Sequence, residues 1–188
     1  MPGPRYDGQM LDPAVGVLLC GCVALLFMGA ALHKLRRLAD FTEVLRAYRV
    51  LPAGFARCAP LVPLAELAVA AGLATAATRS AAALGGAGLL LAYAAAIGVN
   101  LGRGRYHLAC GCGGPDEARP IAPWMVARNL VLALALAVTL LPWRVRPLLP
   151  TDLLTIGAGA AVAALLYMCL DRLLGRVVPR TRALGSPR

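Results

Sequence analysis

Five apolar runs constrain this chain more than anything else in it: Ala14–Leu32, Pro60–Ala77, Ala81–Leu101, Met125–Leu141 and Leu153–Leu170. Each approaches the ~20 residues that a helix needs to cross ~30 Å of hydrocarbon. Inside lipid no water can satisfy a peptide group, so runs of this kind close their own hydrogen bonds as helices, and glycine within them is tolerated. Of 188 residues, 60% are hydrophobic and only 15% are charged, where a soluble domain carries about 25% charge. The expectation is an all-α fold, a polytopic transmembrane helix bundle of about five spans filling residues 1–174. A basic stretch over 175–188 reads as a disordered tail drawn to anionic lipid.

The leader before the first run carries Arg5 but also Asp7 and Asp12. It lacks a basic n-region, and the run is longer than an h-region, so the first run reads as a retained span and not a cleaved signal. The formal charge of +10 sits in the connections. With the N-terminus outside, the outer segments hold four basic residues, Arg5, Arg79, Arg144 and Arg146. The inner segments hold fourteen, from Lys34 to Arg188, and Arg128 lies just inside the fourth run. That bias predicts an N-out, C-in arrangement. It makes the lipid bilayer the partner of the charge and argues against a nucleic acid.

The longest connection is His33–Ala59. Within it Phe41, Val44, Leu45, Tyr48 and Leu51 recur at helical spacing, with Arg46 and Arg49 on other faces. This predicts a short interfacial helix over about 38–51, ended by Leu51-Pro52-Ala53-Gly54. Small residues four apart, Gly98 with Gly102 and Gly157 with Ala161, allow close helix approach there.

Chemistry concentrates in the third connection, which holds Cys110-Gly111-Cys112 followed by Gly113-Gly114-Pro115. Flexible glycines let two thiols one residue apart close into a small, strained ring, and strained disulfides are the oxidising, labile ones. Arg103, Arg105 and His107 lie close in sequence, and positive charge raises thiol reactivity. Three readings stand at this point. The pair is an exchangeable dithiol; or it is a closed or idle brace; or it shares a Zn or Cu(I) site drawn from Cys58, His107, Cys110, Cys112 and Cys169, although no two-knuckle spacing is present. Cys20-Gly21-Cys22 repeats the string inside the first run. On a helix those side chains diverge by about 200°, so they read as packing residues.

Several polar residues fall within the runs: Glu66 in the second, Asn100 ending the third, Arg128 and Asn129 opening the fourth, and His33-Lys34 closing the first. An N-out topology puts them at similar depth near the Cys110 loop. An intramembrane acid needs a partner, and Arg128 or Lys34 is the expected one for Glu66. The set serves either as a structural ion pair or as a proton-relay or ligand site.

An ordered series of these segments resembles the MauE family, methylamine utilization membrane proteins related to DoxX-like bundles. The series is His33-Lys34-Leu35-Arg36 with Phe41, Tyr48-Arg49-Val50-Leu51-Pro52, Pro63-Leu64-Ala65-Glu66-Leu67, Asn100-Leu101-Gly102-Arg103-Gly104-Arg105, Cys110-Gly111-Cys112-Gly113 and Arg128-Asn129-Leu130. The resemblance covers about residues 14 to 140, and its strongest part is the Gly-Arg to Cys-Gly-Cys segment. It implies a multi-pass protein of the bacterial inner (cytoplasmic) membrane. The implied role is processing, transport or maturation of the small (beta) subunit of methylamine dehydrogenase, a periplasmic, disulfide-rich quinoprotein, beside a thioredoxin-like partner, MauD. A reactive dithiol suits that task, because disulfides form outside the cytoplasm. Charge counting, however, puts Cys110 and Cys112 on the inner side. Either the loop folds back into the bundle, or electrons cross through further thiols or a quinone, or the orientation is reversed. A non-redox docking or export scaffold and a metal-binding membrane protein are the rival functions. No cofactor is fixed by the sequence, and a quinone is the candidate.

Overall fold

The computed structural model describes residues 10–50, 58–110 and 120–183, with side chains described as far as residue 173 apart from Asp171. Among these residues six helices follow one another: α1 (Pro13–Arg36), α2 (Leu38–Tyr48), α3 (Leu61–Ala74), α4 (Arg79–Gly102), α5 (Pro123–Val138) and α6 (Pro150–Ala183). Among the described residues there is no strand, only two isolated bridges, Leu11 to Trp143 and Ala109 to Pro120. The fold is an all-α bundle of membrane character.

Local chemistry starts and stops these helices. The Asp12 side chain accepts from the Ala14 amide at 2.9 Å, and Pro13 occupies the first helical position of α1, the two features that favour initiation. Its last turn holds Lys34 and Arg36 beside His33, and basic side chains there suit the negative end of the dipole. Helices α1, α4 and the Pro150–Leu170 part of α6 are long and apolar enough to cross a membrane. Helices α3 and α5 are apolar but shorter, with 14 and 16 residues, or about 21 and 24 Å at ~1.5 Å per residue. The apolar runs outlast these helices because their ends are spent in turns, at Thr75–Thr78 after α3 and Thr139–Leu141 after α5. Helix α6 continues to Ala183, into the stretch that the sequence reads as a disordered tail.

Helix α1 packs on α3, α4 packs on α5 and on α3, and α6 lies against α1. The core between them joins Cys20, Val23 and Phe27 of α1 with Val69 and Leu73 of α3, Leu90 of α4 and Leu136 of α5. Cys22, two residues on from Cys20, is only half-buried and lies outside this cluster. The buried stripe of α4 runs Ala83, Gly86, Leu90, Ala94, Ile97, Asn100, a helical period that excludes Gly98 and Gly102. Within the chain the permitted approach is not made: a Cβ at Gly98, Gly102 or Gly157 would meet nothing within 4 Å. The tight contact is at Gly86, where a Cβ would stand 2.8 Å from Leu136 Cδ1 and 2.9 Å from Val69 Cγ1. Spacing of small residues shows that an approach is permitted; only position on the buried stripe makes it happen.

One end of the bundle is closed by the α5–α6 connection. The Leu11 amide donates to Pro142 O at 2.8 Å and the Arg144 amide to Leu11 O at 2.9 Å. Trp143 packs its ring on Gly16, donates Nε1–H to Thr139 O at 2.9 Å, and carries the Arg79 guanidinium 4.1 Å above its ring. Arg146 then bridges Asp12, at 2.8 and 3.0 Å, and Asp152, at 2.6 Å. The hydrogen bond from Arg146, with that of the Ala14 amide, holds the Asp12 carboxyl below its ordinary range.

Candidate functional site

The opposite end carries the polar residues, and its architecture begins with a helix stop. After α4, Gly104 adopts φ +71°, a left-handed conformation that glycine takes without steric cost. The Gly104 amide bonds Leu101 O and the Arg105 amide bonds Asn100 O, both at 3.0 Å, which is the Schellman arrangement. The chain therefore reverses, and Arg105 is delivered back over α2. Its Nη2 donates to Ala47 O at 2.8 Å and its Nη1 to Tyr48 O at 3.2 Å. These are carbonyls that a helix end leaves without an intrahelical partner. Arg103 Nη1 adds a bond to Arg49 O at 3.2 Å. Asn100, fully buried, fixes the guanidinium through Oδ1 at 2.9 Å and anchors its own Nδ2 on Ala96 O at 3.0 Å. Arg103 and Arg105, expected to tune the thiols, are thus engaged in clamping α2 onto α4.

Helix α2 turns Phe41, Val44, Leu45 and Tyr48 towards the bundle, where with Cys110 they line a cavity of about 90 Å³. The expected turn at Leu51-Pro52-Ala53-Gly54 lies outside the described residues. Beyond Arg105, the two ends of the third connection come together: Ile121 N–H donates to Leu108 O at 2.9 Å, and both side chains are buried. Cys110 is half-buried at the end of this pairing, and its carbonyl accepts from Tyr48 Oη at 3.2 Å. The first half of the loop does fold back against the bundle. Cys112 and the glycines around it lie outside the described residues, and His107 is exposed on the preceding turn.

Lys34 and Tyr93 also line the Cys110 cavity, and both line a second, larger one of about 230 Å³. At this shared wall Lys34 Nζ is paired with Glu66 Oε1, both side chains almost fully buried. Tyr93 Oη donates to the same carboxylate oxygen at 2.7 Å, and Lys34 Nζ stands 4.9 Å from the Tyr93 ring centroid and 5.4 Å from that of Phe41. A lysine so enclosed is accommodated by its ion pair and by the aromatic faces beside it. Of the two partners expected for Glu66, Lys34 is the one in contact. Arg128 instead reaches Tyr167 Oη of α6 at 3.0 Å and stacks near Trp124. Glu66, Arg128 and Asn129 all line the larger cavity, and Glu66 Oε2 and Asn129 Nδ2 are buried with no hydrogen-bond partner.

The predicted polar residues therefore separate into two groups. Asn100 belongs with Arg103 and Arg105 at the α2 clamp, whereas Lys34, Glu66, Arg128 and Asn129 surround the larger cavity. Cys58 and Cys169 are exposed thiols at the start of α3 and on α6. Among the described residues no three His, Cys, Asp or Glu side chains gather as a metal site. Tyr93 and Tyr167 were not singled out from sequence. Each is a lone hydroxyl within an Ala/Leu-rich helix, and the available signal was a phenol away from a helix end.

Fold and site together define a polytopic helical membrane protein with an ion pair buried in its bundle and a cysteine-bearing loop seated beside it. The family model for the methylamine utilisation protein MauE matches residues 12–142, which span α1 to α5. The chain is 41% identical over 175 residues to the methylamine utilization protein MauE of Paracoccus denitrificans, covering 92% of this chain and 94% of that one. It is 37% identical over 173 residues to that of Methylophilus methylotrophus, 90% of each chain, and 41% over 166 residues to that of Paracoccus versutus, 87% and 89%. The chain belongs to the MauE family. No solved structure matches it.

Proposed function

We propose that this accessory protein of methylamine utilisation supports processing, transport or maturation of the methylamine dehydrogenase small subunit. It would act from the bacterial inner membrane, beside the thioredoxin-like MauD, with Cys110 and Cys112 as an exchangeable dithiol. The observation that carries the chemical part is the seat of Cys110. Its backbone is held by Tyr48, its neighbours Leu108 and Ile121 are buried, and it opens onto a cavity rather than into a packed core. A thiol held in one place beside open space can be met by an attacking sulfur; a packing cysteine cannot.

In the exchange step, a thiolate of the client attacks one sulfur of the oxidised pair and forms a mixed disulfide. A second client thiolate then displaces that sulfur. The client gains a disulfide and loses two electrons and two protons, which end on Cys110 and Cys112 as thiols. The test replaces each cysteine by serine and measures assembled methylamine dehydrogenase in cells growing on methylamine. Loss of assembly with either replacement, at normal membrane levels of the protein, is the expected result; normal assembly with both sinks the dithiol.

A docking or export scaffold is the second reading, and the clamp of Arg103, Arg105 and Asn100 on α2 favours it, since it fixes a surface without contributing chemistry. That reading expects tolerance of Cys110→Ser and intolerance of Arg105→Ala in the same assay.

A further inference from the structure

We propose that the larger cavity is a binding site for the ring of a lipid-soluble quinone, entered sideways from the bilayer. Glu66 Oε2, an acceptor, and Asn129 Nδ2, a donor, belong to residues that are 0% and 2% exposed, have no partner, and line the same space. Leaving such groups unsatisfied in a low-dielectric interior is costly, so the natural occupant brings one acceptor and one donor of its own.

The surroundings narrow the class. Leu25, which lines the cavity, is 68% exposed on the outer face of α1, so the space communicates with the lipid-facing surface and its occupant arrives through hydrocarbon. Lys34 is paired with Glu66, and the Arg128 guanidinium, also on the wall, is engaged by Tyr167 Oη at 3.0 Å and by the Trp124 ring. Beside the orphaned oxygen of an acid, a neutral head group fits better than a second carboxylate or a phosphate. Phe27 and Tyr93 supply aromatic walls, which suit a flat ring. At about 230 Å³, the cavity falls below the ~300–1,000 Å³ of pockets that hold whole drug-sized ligands. It takes a head group while the tail stays in lipid. A quinol meets every requirement, a neutral ring whose hydroxyls donate to Glu66 and accept from Asn129, and the oxidised quinone keeps the Asn129 half of the contact through a carbonyl.

One consequence rests on the dithiol reading. Closing the Cys110–Cys112 disulfide releases two electrons and two protons, and a quinone that takes up both becomes a quinol, so the two sites balance as donor and acceptor. Lys34 and Tyr93 form the wall common to both cavities.

The experiment uses the full chain in nanodiscs of quinone-free phospholipid, titrated with a decyl-tailed benzoquinone and photolabelled with its azido derivative. Saturable binding is expected, with labels on α1, α3 or α5 that are displaced by excess decyl-benzoquinone and not by decanoic acid. Asn129→Leu should weaken binding at least tenfold, while Cys169→Ala, on the exposed face of α6, leaves it unchanged. Absence of saturation, labels scattered over the outer face of α6, displacement by decanoic acid, or full affinity in Asn129→Leu would each overturn the site. Should Asn129→Leu fail to fold, the labelling pattern of the unaltered chain decides alone. Failure here leaves the serine-replacement result untouched, and failure of the serine test leaves quinone binding untouched.

Discussion

A buried lysine and a buried glutamate are each tolerable only because of the other. Removing one partner strands the remaining charge, a loss of about 3–5 kcal/mol, while replacing both by apolar groups of similar volume is often neutral. For Lys34 and Glu66, sealed between α1 and α3 with Tyr93 Oη on the same oxygen, Lys34→Met is expected to lower the unfolding midpoint sharply. The double variant Lys34→Met/Glu66→Leu recovers most of the loss. Thermal unfolding in detergent measures both, and equal destabilisation by the single and double changes would contradict the pairing. This pair was half legible in the sequence. An acid within an apolar run demands a cation, and only two lie at its depth, but linear spacing cannot choose between them. Helix packing does: α1 lies against α3, whereas Arg128 is turned towards Tyr167 of α6. The grip of Arg105 on α2 was not legible, because the reversal at Gly104 that swings Arg105 onto Ala47 and Tyr48 is set by a single positive φ.

Helix α2 is lightly held, since only Tyr48 within it is buried. Arg105→Ala would free the Ala47 and Tyr48 carbonyls at a cost of about 1–3 kcal/mol. Amide hydrogen exchange over residues 38–49 should accelerate several-fold while α4 is unchanged; unaltered exchange in α2 would refute the clamp. At the other end, Asp12 joins α1 to Arg146, and through it to Asp152 at the start of α6. Because Arg146 lowers the folded-state pKa of Asp12 below 3.8, the contribution is complete above that value and is lost as pH falls through the lower folded pKa. The joint should hold throughout the neutral range and loosen only in strong acid, and Asp12→Asn should remove that part of the acid dependence of the unfolding midpoint. The apolar face of α2 was readable from its helical spacing, because an amphipathic period survives in any context. The close approach of α4 was not readable: glycines occur on several faces of that helix, and which of them faces Leu136 and Val69 depends on a partner distant in sequence.

For the molecule as a whole, hydropathy carried the most information. Five apolar runs became five apolar helices, two of them trimmed by turns. What hydropathy could not show is that the Cys110 connection leans into the bundle, since that depends on Leu108 meeting Ile121 across the loop. The central claim is that Cys110 and Cys112 exchange electrons as a pair, and differential alkylation addresses it directly. Membranes are treated with an impermeant maleimide from each side, before and after reductant, and labelling is read at both positions by peptide mass. The account predicts that both thiols are blocked until reductant is added, then label together from the side carrying α2. Labelling that is identical with and without reductant, at either position, would contradict it.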